Sequence, residues 1–189
     1  MDIPEYSLHD SLVLLGGKAQ NAGLGFLLVG GNALIHFGVP RFTRDIDFLI
    51  PESLVAVWKA FLEAEGWLCF HETDAFLQFD GKPNGLPPVD LMVVDEATWK
   101  SLLEAASPSF LAPGFSPMLP SPLHLAAMKL QAYRNRDRNR REQDWSDLVQ
   151  LVRNHLSEIS RQEFEPFVIR HGGPEAWLRL AKEIQFPAP

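Results

Sequence analysis

The run Leu28-Val29-Gly30-Gly31-Asn32-Ala33-Leu34, followed by Arg41-Phe42-Thr43-Arg44-Asp45-Ile46-Asp47, constrains the fold of this chain more than any other feature. The apolar stretch at 26–29 reads as a buried strand that ends on two glycines. The spacing predicts a short helix over 31–37, closed by Gly38 and Pro40, and a second strand over 45–50. Successive side chains of a strand point to opposite faces, so Asp45 and Asp47 share a face while Ile46 and Phe48 enter the apolar interior. Two carboxylates on one face suit a divalent metal. The glycines let the backbone approach a ligand, and the helix after them points its first amides at an anion. Carboxylates, metal and phosphate would then meet in one place.

Along the rest of the chain, Ser7 reads as the N-cap of a first helix ending near Asn21. Pro51-Glu52-Ser53 reads as the start of a helix running to about Glu65, with Leu54, Val57, Trp58, Phe61 and Leu62 on one face. Residues 67–71 and 75–79 read as paired strands, 80–88 as turn and linker, 89–94 as a strand and 96–106 as a helix. An irregular proline-rich stretch follows to Pro120. From Ser121 onward the pattern is helical, over 121–134, 141–155, 160–171 and 174–184, with Gly172-Gly173-Pro174 as a stop and a first-turn proline. These elements predict an α/β (α+β) fold: a small mixed sheet flanked by helices at 1–120, with a helical C-terminal part at 121–189 packed on that core as a single compact unit.

Hydrophobic residues at 46% and charged residues at 22% are ordinary for a soluble globular chain and exclude the disordered class. No apolar run approaches the ~18 residues of a spanning helix, and Met1-Asp2-Ile3-Pro4-Glu5 lacks the basic and apolar segments of a signal peptide. A cytoplasmic location without membrane contact is expected. The net charge of −7 argues against nonspecific coating of nucleic acid. Positive charge concentrates at 134–141, which holds five arginines. Cys69, the single cysteine, reads as a small buried residue of a strand. The six histidines lack metal-ligand spacing and are assigned no catalytic part.

Asp90 interrupts the otherwise apolar Val89-Asp90-Leu91-Met92-Val93-Val94. A carboxylate buried there would be costly unless paired or bound to a metal, which makes it the natural third ligand beside Asp45 and Asp47. Three carboxylates and substrate phosphates offer the oxygen set that Mg2+, or Mn2+ in its place, prefers. The plainer alternative, an edge strand carrying two surface aspartates, accounts for a DxD pair alone. It does not account for that pair joined to the Gly-Gly turn and to an aspartate in a later strand.

This arrangement resembles the nucleotidyltransferase superfamily of the Pol β-like fold, most closely the AbiEii-type toxin nucleotidyltransferases. There the turn reads GGxAL and the strand R-x-[ST]-x-D-[IL]-D, matched here by Gly30-Gly31-Asn32-Ala33-Leu34 and Arg41-Phe42-Thr43-Arg44-Asp45-Ile46-Asp47. The resemblance implies that Asp45, Asp47 and Asp90 are the catalytic metal ligands, with Asp90 also accepting the proton of an acceptor hydroxyl. It implies nucleotide binding at Gly30, Gly31, Asn32 and Lys129. Superfamily members with a Gly-Ser turn place the serine hydroxyl on a phosphate. Gly31 has none, so phosphate contact here rests on backbone amides or Asn32.

In the helical part, spacing puts Lys129, Tyr133 and Arg136 on one helix face. Lys129 lies in a largely apolar helix, and either holds a triphosphate or snorkels over the core. In the AbiEii-type proteins a comparable lysine is followed by an arginine-rich turn and a [KR]-D-x-x-D element, which appears here as Gln143-Asp144-Trp145-Ser146-Asp147 with one positive charge fewer. Arg41, Arg136, Asp144 and Asp147 are accessory candidates, the two aspartates as positioners of Lys129 or an arginine. Trp145, Leu148, Val149 and Val152 read as a core stripe.

The resemblance implies a metal-dependent nucleotidyltransferase that moves NMP from an NTP to an acceptor hydroxyl of RNA, tRNA or protein, in a toxin role with a cognate antitoxin as partner. A small-molecule acceptor of the antibiotic type is the enzymatic alternative. A non-catalytic nucleotide-binding scaffold is the alternative from another class.

Overall fold

The computed structural model describes residues 7–81, 85–156 and 159–186. The expected turn at 80–88 therefore falls partly, at 82–84, outside the described residues, as do the first residues read for a signal peptide. The chain forms two units. One comprises the described residues up to Ala33 together with Arg41–Pro120, and the other comprises Leu34–Pro40 with the described residues from Ser121 onward.

The first unit is built on a mixed sheet. Its strands are β1 (Leu27–Leu28), β2 (Ile46–Pro51), β3 (Leu68–Thr73), β4 (Phe76–Asp80), β5 (Val89–Val94), β6 (Ser107–Pro108) and β7 (Met118–Leu119), in the order β3-β4-β5-β2-β1-β7-β6. All six residues of β2 are buried, because β2 lies between β1 and β5 and both its faces are covered. It runs antiparallel to β1 and parallel to β5. Helix α1 (Leu8–Asn21) begins where the Ser7 hydroxyl accepts from the Asp10 amide, and it buries Leu12, Leu15 and Ala19. Helix α3 (Val55–Ala64) follows a single 3-10 turn and turns Trp58 and Leu62 inward. Trp58 packs against Phe26 and Phe48 and donates its indole N–H to the Gly25 carbonyl at 3.2 Å. Helix α4 (Glu96–Glu104) is capped by Asp95, which accepts from the Thr98 amide.

Several expectations change here. Strand β2 starts at Ile46, so Asp45 stands just before it. Val57 points outward rather than joining Trp58 and Leu62. The proline-rich stretch before Pro120 contains β6 and β7, two-residue strands held by their neighbours. Cys69 is half-buried, because β3 is an edge strand of the sheet and shows mostly exposed side chains.

The second unit is helical: α5 (Pro122–Arg134), α6 (Arg141–Leu151) continued by a π turn at Val152–Leu156, α7 (Arg161–Gly172) and α8 (Pro174–Glu183). Ser121 and Ser160 cap α5 and α7, accepting from the amides of His124 and Glu163. Gly173, at φ 87°, carries the reversal into Pro174 at the start of α8. Trp145, Leu148, Val149 and Val152 are buried together with Leu125, Leu130, Phe164, Val168 and Leu180. After the π turn begins, Asn154 and His155 donate to or meet the carbonyls of Gly38 and Phe37 at 3.2 and 2.7 Å, which ties the segment 34–40 into this unit. No helix among the described residues is long and apolar enough to cross a membrane.

Candidate active site

Sheet register builds the site. In the parallel pairing of β2 and β5, Asp47 stands directly opposite Asp90, and paired residues turn their side chains to the same face. Asp45, at a bend just before β2, brings its carboxylate to the same place. One carboxylate oxygen from each of Asp45, Asp47 and Asp90 lies within 4.8 Å of the others. Asp47 is 8% exposed, and Asp45 and Asp90 are half-buried. Three mutually repelling carboxylates this close are unfavourable as an apolar-core solution, and three hard oxygen donors are what Mg2+ or Mn2+ takes. The donor set fits a divalent cation held by Asp45, Asp47 and Asp90.

The Gly-Gly turn is shaped by these carboxylates. Helix α2 (Gly30–His36) opens on Gly30 at φ 61°, a backbone conformation that side chains other than glycine strain to adopt. A Cβ added at Gly30 would stand 1.9 Å from Asp47 Oδ2, so the backbone here is the wall against which the Asp47 carboxylate rests. A Cβ at Gly31 would stand 2.6 Å from both Cβ and Oγ1 of Thr43 and 3.3 Å from Arg41 Nε. Thr43 thus occupies the space that a serine side chain at 31 would need. The absence of a hydroxyl at Gly31 has a steric cause within this chain.

Asn32 donates its side-chain amide to the backbone carbonyl of Asp45 at 3.1 Å, fixing the segment that carries this carboxylate from the helix side. The Thr43 hydroxyl donates to Asp45 Oδ1 at 2.7 Å. Phe42 and Arg44, which alternate with it, pair with each other, the guanidinium lying 5.2 Å from the ring centre, and Phe42 is 80% exposed. One residue that sequence reasoning passed over also belongs here. Gln78 on β4 is the register partner of Asp90 and donates its amide to Asp90 Oδ1 at 3.2 Å. Gln78, Asp90 and Asp47 form a polar row across three adjacent strands. The only signal for Gln78 in the sequence is its place between buried Leu77 and Phe79.

Lys129 belongs to a second polar group, inside the helical unit. Its ammonium donates to Asp144 Oδ1 at 2.9 Å and Asp147 Oδ2 at 2.7 Å. Asp144 and Asp147 are 1% and 0% exposed and also accept from Arg138 and Gln143. Arg136 lies beyond the end of α5, off the helix face expected to carry it, in an exposed pair with Glu175 at 3.5 Å. The Tyr133 ring lies tilted against Trp145, with centroids 4.7 Å apart, and is bracketed by the guanidinium groups of Arg141 and Arg179. The Glu142 carboxylate beside Arg179 is held below the usual carboxylate range by the hydrogen bonds that Arg179 donates.

No protein-family model matches the chain, and no curated protein does. Solved structures do. The antibiotic-resistance factor ANT(2'')-Ia is similar at a TM-score of 0.64 and 15% identity, over 92% of this chain and 96% of that one. Its complex with adenylyl-2''-tobramycin is similar at a TM-score of 0.61 and 14% identity, over 85% and 95% of the two chains. An antigenic nucleotidyltransferase-like protein from Paracoccidioides brasiliensis is similar at a TM-score of 0.56 and 16% identity, over 95% and 94%. At these identities the likeness is one of fold, and the chain has the fold of nucleotidyltransferase-like proteins.

Proposed function

We propose that this protein is a metal-dependent nucleotidyltransferase that transfers NMP from an NTP to an acceptor hydroxyl. The observation that carries this reading is the convergence of Asp45, Asp47 and Asp90 within 4.8 Å at a glycine turn, in a chain with a nucleotidyltransferase-like fold. Asp45, Asp47 and Asp90 would hold Mg2+ or Mn2+. When bound, the cation supplies charge neutralisation at the phosphates and at the attacking and leaving oxygens.

The chain's own residues do the rest. An acceptor oxygen forms a bond to the α-phosphorus as the bond to the pyrophosphate oxygen breaks, and the acceptor's proton passes to a carboxylate. The motif resemblance assigns that last role to Asp90, whose Oδ1 accepts from the Gln78 amide. The amides of Gly30 and Gly31 offer donors to phosphate oxygens. Asn32 contributes by holding the Asp45 backbone in place. Lys129 has a third ammonium N–H beyond those given to Asp144 and Asp147, and is retained as a phosphate donor on the strength of the motif resemblance. Arg41 and Arg136 are retained as accessory phosphate contacts.

For the acceptor, the GGxAL and R-x-[ST]-x-D-[IL]-D motifs support the AbiEii-type reading: RNA, tRNA or protein as acceptor, and a toxin role beside a cognate antitoxin. A second reading, a small-molecule acceptor, is favoured by the likeness over nearly the full chain to an antibiotic-resistance factor also solved with an adenylylated aminoglycoside, and by the net charge of −7. The test is incubation with each α-labelled NTP and Mg2+ in the presence of total cellular RNA, total protein or an aminoglycoside panel, beside an Asp45→Ala Asp47→Ala variant. Label on RNA or protein, dependent on the aspartates, supports the first reading, and label on an aminoglycoside supports the second. Absence of transfer and of pyrophosphate release in every arm leaves a nucleotide-binding scaffold and contradicts the proposal.

A further inference from the structure

We infer that Thr43 and Gln78 are positioning residues that set the affinity of the carboxylate site for its divalent cation, each by locking one carboxylate in place. The inference rests on the metal-site reading above. Metal ligands are oriented by hydrogen bonds from residues that do not touch the metal, and loss of such a bond weakens binding. Both residues meet that description by independent routes. Thr43 donates its hydroxyl to Asp45 Oδ1 at 2.7 Å, and Gln78 donates its amide to Asp90 Oδ1 at 3.2 Å.

The backbone around each donor is arranged to deliver it. Thr43 reaches Asp45 from two residues earlier in the chain, at the bend that precedes β2, and it can lie there because Gly31 has no side chain: a Cβ at 31 would stand 2.6 Å from the Thr43 hydroxyl oxygen. Gln78 is fixed by register, opposite Asp90 in the antiparallel β4–β5 pair, while Asp90 is opposite Asp47 in the β2–β5 pair. An amide and a hydroxyl are neutral donors, so each steadies its carboxylate without supplying a charge that would compete with the cation. Two of the three ligands are thereby held from outside, and the third, Asp47, rests against the Gly30 backbone. Each carboxylate has its own support, and the site is ordered before the cation arrives.

The experiment is a Mn2+ titration of the full chain, followed by electron paramagnetic resonance of free Mn2+, so that binding is read without turnover. Thr43→Val and Gln78→Met keep shape and remove the donor, Thr43→Ser restores the hydroxyl, and Asp45→Asn Asp47→Asn serves as the site control. Melting temperatures without metal verify folding. The Mn2+ dissociation constant is expected to rise by about tenfold or more in Thr43→Val and in Gln78→Met, and Thr43→Ser should stay within about twofold of the parent. Each residue is judged by its own variant, so poor folding of one leaves the other decisive. Mn2+ affinity within about twofold of the parent in both donor-lacking variants, with binding lost in the site control, overturns the positioning role and leaves the metal site standing. A parent protein that binds no Mn2+ overturns both.

Discussion

Asp47 and Asp90 face each other across the parallel pair β2–β5, one carboxylate directly opposite the other in register. Directly opposed like charges destabilise a sheet. With Asp45 close to both, the protein holds three carboxylates together at the expense of its own stability. Asp90→Asn is therefore expected to raise the melting temperature of the metal-free protein, by the equivalent of about 0.5–2 kcal/mol, while weakening Mn2+ binding and abolishing transfer. Thermal melts with and without Mn2+ check this, and a fall in metal-free stability would contradict it.

Gly30→Ala is expected to cost at least about 1–3 kcal/mol, through the positive φ of Gly30 and the displacement of the Asp47 carboxylate. Gly31→Ser, which restores a hydroxyl to the turn, is expected to lower both stability and Mn2+ affinity, because the new side chain displaces Thr43. Denaturant unfolding and metal titration of the two variants are the measurements. Improved nucleotide binding by Gly31→Ser would show that Thr43 yields freely.

In the helical unit, Lys129 stands between two carboxylates that are 1% and 0% exposed. Lys129→Met takes the ammonium away from Asp144 and Asp147, which keep Arg138 and Gln143 among their donors, and is expected to cost about 3–5 kcal/mol in urea unfolding. Adding Asp144→Asn and Asp147→Asn to it should restore part of that loss, since the uncompensated buried charge is then gone. A Lys129→Met variant as stable as the parent would remove the case for this network as a support of the helices.

His124 and His171 in the same unit both have imidazole pKa values lowered by burial, with Arg170 adding to the shift at His171. The unfolded chain then takes up protons at the ordinary value of 6.5 while the folded chain still resists them. Stability is expected to be full above that value and to fall as pH drops through it toward the lower folded values. The melting temperature should fall between about pH 7.5 and about pH 5.5, and His124→Gln His171→Gln should lessen the drop. An equal drop in the double variant would assign it to other groups.

The convergence of Asp45, Asp47 and Asp90 beside the glycine turn, the candidate site, rests largely on short-range pattern and was legible in the sequence. Gly30, Gly31, Asp45 and Asp47 lie within one strand-turn-helix-strand run, and Asp90 announces itself by interrupting an apolar strand. Gln78 was not legible, because its meeting with Asp90 depends on the β4–β5 register, which no local pattern specifies. Strands β6 and β7, two residues each, have no period of their own to read and exist because β1 and each other satisfy their backbones. Cys69 and Val57 went the other way: an apolar pattern predicted burial, but the outer strand β3 and the outer face of α3 leave them part-exposed or exposed. Arg136 lost its place on the α5 face because that helix ends at Arg134.

The most direct test is a crystal of the protein grown with Mn2+ and a non-hydrolysable NTP, read by anomalous scattering at the manganese edge. The account predicts a manganese peak coordinated by Asp45, Asp47 and Asp90, with the phosphates of the nucleotide at the Gly30-Gly31 turn. A nucleotide bound elsewhere, or a map with no manganese at the three aspartates, would contradict it.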